Sequence, residues 1–284
     1  MTDLNTAERA RTGPRTVEGV VNYVAEMSER PRYYANDHSR DFMILDPRPV
    51  PIEDARGRKE QPTLDGEGFT LVRQVSAVTD FRDTEQVARV HMPEIERLLL
   101  GLTGADRVVM SGAGGILRFS ERLDEVGKSN NSWPARFIHI DVSDSAAAQA
   151  VERTRPKDVD RPVRRWAQYN VWRAISAPPQ DIPLAVCAAG SLQDQDLVVA
   201  DAIFDHHGQP EWSFESLMIR YNPRHRWSYF ANMTRDEALV FKTKDSDPTK
   251  AHHVPHSAFD DPSAPPDAPP RISIEIRATA YWFD

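Results

Sequence analysis

The segment Phe137-Ile-His-Ile-Asp-Val-Ser143 sets a histidine and a carboxylate two residues apart within an apolar run. Phe137, Ile138, Ile140 and Val142 predict a β-strand, and on a strand His139 and Asp141 project from the same face. Taken alone, such a pair favours a structural hydrogen bond over a ligand-holding site. Two later stretches shift that balance. His256 lies in Val254-Pro-His-Ser-Ala-Phe259, directly after the strand-like stretch 237–247, and apolar Val254, Ala258 and Phe259 bracket it. Fifteen residues beyond it, Arg271-Ile-Ser-Ile-Glu-Ile-Arg277 alternates strictly. Ile272, Ile274 and Ile276 face one way; Arg271, Ser273, Glu275 and Arg277 face the other.

Two histidines and one carboxylate with open positions are the ligand set of non-haem Fe(II) oxygenases. Arg271 and Ser273 on the inner face of a last strand can bind a carboxylate through a bidentate ion pair and a hydroxyl hydrogen bond. The ordered set of His139-x-Asp141, a distant His256 and Arg271-x-Ser273 is what a 2-oxoglutarate-dependent oxygenase on a jelly roll requires. The combination is far more specific than any of its members. His252 and His253 compete for the distal position but sit in a Lys/Asp/Thr-rich turn, where exposure is expected. His206 and His207 precede a glycine at a turn, and His225 lies between two arginines.

At 284 residues, with 40% hydrophobic and 27% charged residues, the composition is that of an ordinary globular protein. A formal net charge of -8 without a basic block argues against a nucleic-acid partner. The lone cysteine, Cys187, excludes an internal disulfide and a thiolate zinc site, and its apolar run predicts a core position. The polar N-terminus lacks an apolar signal region, and no run reaches the roughly 20 apolar residues of a membrane span. A cytoplasmic protein is expected.

The elements that must position these residues follow from periodicity. Val17, Val20, Val21, Val24 and Met27 form a helical stripe, and residues 30–66 suggest an extended arm. A strand is expected over 68–75, helices over 84–91 and 93–102, and a short strand over 107–110. Gly112-Ala-Gly-Gly115 lacks the Lys-Ser/Thr ending of a phosphate loop and predicts a turn; Ser111 lacks the setting of a nucleophile elbow. Beyond residue 134, strands are expected over 135–142, 165–175, 183–189, 196–204, 214–221, 227–231, 237–243 and 271–283. One helix interrupts them, 143–153, capped by Ser143 or Asp144. The reading is mainly β with helical additions: a double-stranded β-helix (jelly roll, cupin-like) core with N-terminal helices packed on it. One oxygenase domain spans 1–284, with 1–130 as arm and helices and 131–284 as the core carrying the site.

Several segments together resemble a known family. They are Tyr169-Asn-Val-Trp-Arg173, Pro183-Leu-Ala185, His225-Arg-Trp-Ser-Tyr-Phe230, Met233-Thr-Arg-Asp-Glu237, Phe241-Lys-Thr-Lys-Asp-Ser246, Pro255-His-Ser-Ala-Phe259 and Pro270-Arg-Ile-Ser-Ile-Glu-Ile-Arg277. Leu64-Asp-Gly-Glu-Gly-Phe69 and Leu102-Thr-Gly-Ala105 add to the likeness, which covers roughly residues 50–284. The family is that of the Fe(II)/2-oxoglutarate-dependent natural-product hydroxylases and desaturases. It includes gibberellin-desaturase-like, cephamycin-cluster-protein-like and fungal endoperoxide-forming oxygenases.

The resemblance implies Fe(II), 2-oxoglutarate as co-substrate and O2. It implies an Fe(IV)-oxo species acting on a small natural-product-type molecule, with release of succinate and CO2. It assigns His139, Asp141 and His256 to the iron, Arg271 and Ser273 to the distal carboxylate of 2-oxoglutarate, and Arg277 as the alternative arginine. Tyr169, Asn170 and Trp172 become contacts of the co-substrate or of the ligands. The run Met110-Ser-Gly-Ala-Gly-Gly115 before Arg118 departs from the pattern and is expected to border the substrate. A carboxylate at Asp141 disfavours halogenation, which needs that place vacant. Rival readings are a jelly-roll binding protein and a metal-dependent dioxygenase without 2-oxoglutarate; neither needs the Arg271-x-Ser273 clamp. A homodimer is compatible with this reading.

Overall fold

The computed structural model describes residues 15–120, 131–205 and 210–284; His206 and His207 lie outside them. Two facing sheets form a jelly roll. The larger has nine strands: β1 (Thr16–Val24), β2 (Arg32–Tyr34), β3 (Leu45–Asp54), β7 (His139–Ile140), β9 (Leu184–Cys187), β10 (Leu197–Phe204), β11 (Trp212–Ile219), β12 (Trp227–Tyr229) and β14 (His256–Ala258). Their order is β1-β3-β12-β9-β14-β7-β11-β10-β2. The smaller sheet holds β4 (Phe69–Arg73), β5 (Arg107–Phe119), β6 (Asn131–Ser132), β8 (Val163–Ala174), β13 (Glu237–Asp245) and β15 (Ile272–Phe283), in the order β4-β13-β8-β15-β5-β6.

Helices cover the outside of the smaller sheet. α1 (Thr84–Gln86) runs through a π-helical turn, Val87–His91, into α2 (Met92–Thr103). Ile95 and Leu99 of α2 pack on Val171, Ile274, Ile276 and Ala278 of β8 and β15. The other face of those strands, with Trp172, meets Val186, Phe241 and Val254 between the sheets. α3 (Asp144–Thr154) starts where expected, with Ser143 Oγ accepting the Ala146 N–H.

Three expectations are corrected. Val17–Met27 is not a helix, because Thr16–Val24 is the edge strand β1 and Val17, Val21 and Tyr23 are buried in alternation. Valines at 17, 20, 21 and 24 satisfy a helical stripe by coincidence; the break in the period-2 pattern is Gly19, where a Cβ would stand 2.6 Å from Ile52 Cδ1. The arm at 30–66 contains β2 and the ten-residue β3, so the first 130 residues contribute strands to both sheets. Pro47, Pro49 and Pro51 mask this strand in the sequence; they are tolerated because β12 pairs only with Ile52–Asp54. Finally, Gly112–Gly115 is no free turn. It is a bulge within β5, opposite the shift between Glu275 and Arg277, and positive φ at Gly112 and Gly115 lets the chain loop out and return.

Gly68 ties β4 to the segment before His256. Its φ is +91°, and a Cβ there would overlap Val254 Cγ2. Gly68→Ala is therefore expected to lower unfolding free energy by about 2 kcal/mol, from left-handed strain plus overpacking. Urea denaturation measures this, and an unchanged midpoint would contradict the packing at Val254.

Candidate active site

Strand register creates the site. In the larger sheet His256 of β14 stands directly across from His139 of β7, with ring centroids 4.3 Å apart. Ile138 and Ile140, on the alternate positions, fill the opposite face of the sheet. Asp141 follows β7 on the same side as His139. In the smaller sheet Asn170 of β8 is the cross-strand partner of Arg277 of β15. The two pairs face each other, and Asp141 lies between them.

Every polar group here is aimed. His139 donates its Nδ1–H to Phe137 O at 3.1 Å, and His256 donates its own to Val254 O at 3.2 Å. Both imidazoles thereby turn Nε2 inward, each 3.9 Å from an Asp141 oxygen. Asn170 Nδ2 donates to Asp141 Oδ2 and Arg277 Nη2 to Oδ1, each at 2.5 Å. Glu275 accepts from Arg277 Nε at 2.7 Å and steers the guanidinium.

Burial lowers His139 to about 3, with help from neighbouring His256, so its imidazole stays neutral and able to ligate. Burial alone would raise Asp141, but the Arg277 charge, both imidazoles and Asn170 outweigh it. The carboxyl is held well below the usual range. Two imidazole nitrogens and one carboxylate oxygen, all within 4.8 Å of one another, fit a divalent cation bound from one side.

The expected carboxylate clamp lies at the start of β15. Arg271 is buried, its guanidinium carbon 5.5 Å from the Trp172 ring centroid. Ser273, two residues on, is fully buried, and its Oγ has no hydrogen-bond partner among the described residues. An unsatisfied buried hydroxyl beside a buried guanidinium suits a bound oxyanion. Trp172 thus borders the clamp, whereas Asn170 and Arg277 are partners of Asp141.

Tyr169 borders a cavity beside Asn170 but makes no hydrogen bond to Asp141. It points to the opposite face of β8 and packs with Val171 and Ile276 against the helices. Strand alternation dictates this once Asn170 points inward. The rival histidines are elsewhere: His225 bonds Asp196 and Tyr23, and His253 bonds Asp144.

A cavity of about 780 Å3 opens beside Asp141, Asn170 and Arg277. α3 supplies Gln149 and Arg153 to one wall, and the β10–β11 hairpin supplies Trp212 and Phe214 to another. Ser111, next to the bulge, also lines it. A smaller recess beside His139 is lined by Tyr33, Phe137 and Arg118. Burial and the Asp141 charge push the Tyr33 phenol up to about 12, so it remains a neutral donor. No sequence signal points to Tyr33, Trp212 or Phe214, because each reaches the site only through sheet pairing.

A mainly β jelly roll with two histidines and a carboxylate at its mouth defines a metal-dependent oxygenase-like protein. A family model described as "Oxidoreductase/YMDC permease-like domain" matches residues 21–281. The chain is 30% identical over 278 residues to an alpha-ketoglutarate-dependent dioxygenase, phiK, of Fungal sp. (strain ATCC 74256), covering 94% of this chain and 96% of that protein. It is 31% identical over 254 residues to the hydroxylase/desaturase CTB9 of Cercospora beticola, covering 84% and 77%. The fold is similar to that of the iron and alpha-ketoglutarate-dependent endoperoxidase NvfI, with a TM-score of 0.80, 24% identity and coverage of 96% and 100%. The chain belongs to this oxidoreductase family, together with the alpha-ketoglutarate-dependent dioxygenases and hydroxylase/desaturases that it matches, and it is an enzyme.

The Asp141–Arg277 pair generates a prediction. Removing one partner of a buried ion pair leaves the other uncompensated, at a cost of about 3 kcal/mol. Arg277→Met is expected to destabilise the metal-free protein by that order. Added Mn(II) should then raise its melting temperature more than it raises the wild type's, since the cation replaces the lost charge at Asp141. Equal shifts in both proteins would sever Arg277 from the metal site.

Proposed function

We propose that His139, Asp141 and His256 bind Fe(II), and that Arg271 and Ser273 bind the distal carboxylate of 2-oxoglutarate, in an oxygenase acting on a natural-product-type small molecule. The chain is an Fe(II)/2-oxoglutarate-dependent dioxygenase. The observation that supports the residue assignment best is the convergence of two inward Nε2 atoms and a deprotonated carboxylate beside a substrate-sized cavity. Iron held by these residues would couple reduction of O2 to the oxidative decarboxylation of 2-oxoglutarate to succinate and CO2 and to two-electron oxidation of the substrate by hydroxylation, desaturation or ring closure.

The chain's own residues bind, orient and exclude water. Phe137 O and Val254 O fix the imidazole tautomers; Asn170 and Arg277 hold Asp141 ionised and oriented. Trp172, Phe241 and Val186 close the interior behind the clamp. Trp212 and Phe214 offer an apolar wall to the substrate, and the polar groups of α3 line the side facing it. Arg271 rather than Arg277 holds 2-oxoglutarate in this reading, because Arg277 is committed to Asp141 and Glu275.

The same reading takes residues 1–284 as one oxygenase domain and needs neither nucleic acid nor membrane; the net charge of -8 supports the first exclusion. No helix among the described residues is long and apolar enough to cross a membrane. The single buried free cysteine is compatible with the cytoplasm. A homodimer would cover the exposed Val20, Ile44 and Leu45 along β1 and β3.

His139→Ala or Asp141→Ala is expected to abolish Fe(II)-dependent succinate formation while circular dichroism stays native; unchanged turnover would remove these residues from the iron site. Arg271→Ala should raise the 2-oxoglutarate requirement at least tenfold, and Arg277→Met should leave it within threefold. The opposite pattern would exchange their roles. Anaerobic Fe(II) plus 2-oxoglutarate should give the wild type a weak visible charge-transfer band, whose absence would favour a binding protein.

A further inference from the structure

His253 has a left-handed backbone, with φ of 56°, a conformation uncommon outside glycine and reached mainly by asparagine, aspartate and histidine. Its side chain is buried, and Nε2 lies 2.7 Å from Asp144 Oδ1. Lys244 Nζ of β13 reaches the same oxygen at 2.6 Å, and His252 packs edge-on with ring centroids 4.7 Å apart. The positions matter: Asp144 is three residues after Asp141, and His253 is three before His256. The contact therefore joins the two chain segments that carry the ligands. Between His253 and His256 lies Val254, whose N–H is bound by Lys242 O at 3.1 Å and whose carbonyl accepts from His256.

We propose that Asp144, His253 and Lys244 form a strut that holds the His256 segment against the Asp141 segment and so sets the metal affinity of the site. All three are positioning residues. The proposal rests on the reading of His139, Asp141 and His256 as metal ligands. Asp144 is 64% exposed, so its ion pairs add little to global stability. Their effect is local: they hold the backbone turn that leads into β14, whose pairing with β7 and β9 sets His256 across from His139. Direct partners of metal ligands change affinity by about 10–100-fold when removed, and a strut acting through the Val254 turn is expected at the lower end of that range.

The test is titration of the full chain with Co(II) alone, followed by its visible d–d bands, alongside the melting temperature of the metal-free protein. Asp144→Asn and His253→Ala should each weaken Co(II) binding about tenfold while the metal-free melting temperature stays within about two degrees. His253→Gly should recover most of that loss relative to His253→Ala, because glycine adopts the left-handed turn without a tether. Wild-type affinity in both Asp144→Asn and His253→Ala overturns the strut, as does a lowered melting temperature with unchanged affinity. If instead His139→Ala binds Co(II) as tightly as wild type, the metal-site reading itself fails, and the strut with it.

Discussion

The buried carboxylate of Asp141 is the constraint on which the site depends. An anion inside a jelly roll is tolerable only when hydrogen-bond donors and positive charge reach it. Here the donors come from the opposite sheet, Asn170 on β8 and Arg277 on β15. The requirement fixes how the two sheets meet, since a one-residue slip of β15 would turn Arg277 outward and Ile276 inward. Ile274 and Ile276 are held instead by apolar packing, against α2 and close over Gly115.

The bulge in β5 belongs to the same logic. Four residues, Gly112 to Gly115, stand against Ile276 alone on β15. Without the bulge, β5 would continue flat along β15 beside Arg277, where the cavity opens and Ser111 lines it. Glycines at 112 and 115 supply the left-handed turns that exit from and re-entry to the ladder demand. A stretch without catalytic groups thus shapes space next to the reacting centre.

Much of the site was legible in one dimension. His139-x-Asp141 and Arg271-x-Ser273 are read from period-2 spacing, which forces i and i+2 to one face wherever the strand lies. The same rule carries Asn170 and Trp172 inward together and packs the Tyr169 ring toward the helices. The early chain hides its strands for an equally local reason: valines at 17, 20, 21 and 24 satisfy the helical period while Gly19 interrupts the alternation of β1, and prolines at 47, 49 and 51 fall on the part of β3 that β12 does not pair.

By itself the sequence determined which residues share a face, where α2 and α3 begin and end, and which side-chain types are available to hold a metal and a carboxylate. Only the tertiary structure decided that His256 stands across from His139, that Arg277 pairs with Asp141, and that Tyr33 and Trp212 border the site. The reason is range. Alternation, capping and turn chemistry act over two to four residues and are written in the local chain. Pairing between strands over a hundred residues apart is chosen by the burial of whole faces and the compensation of a single buried charge, and neither is a property of any one segment.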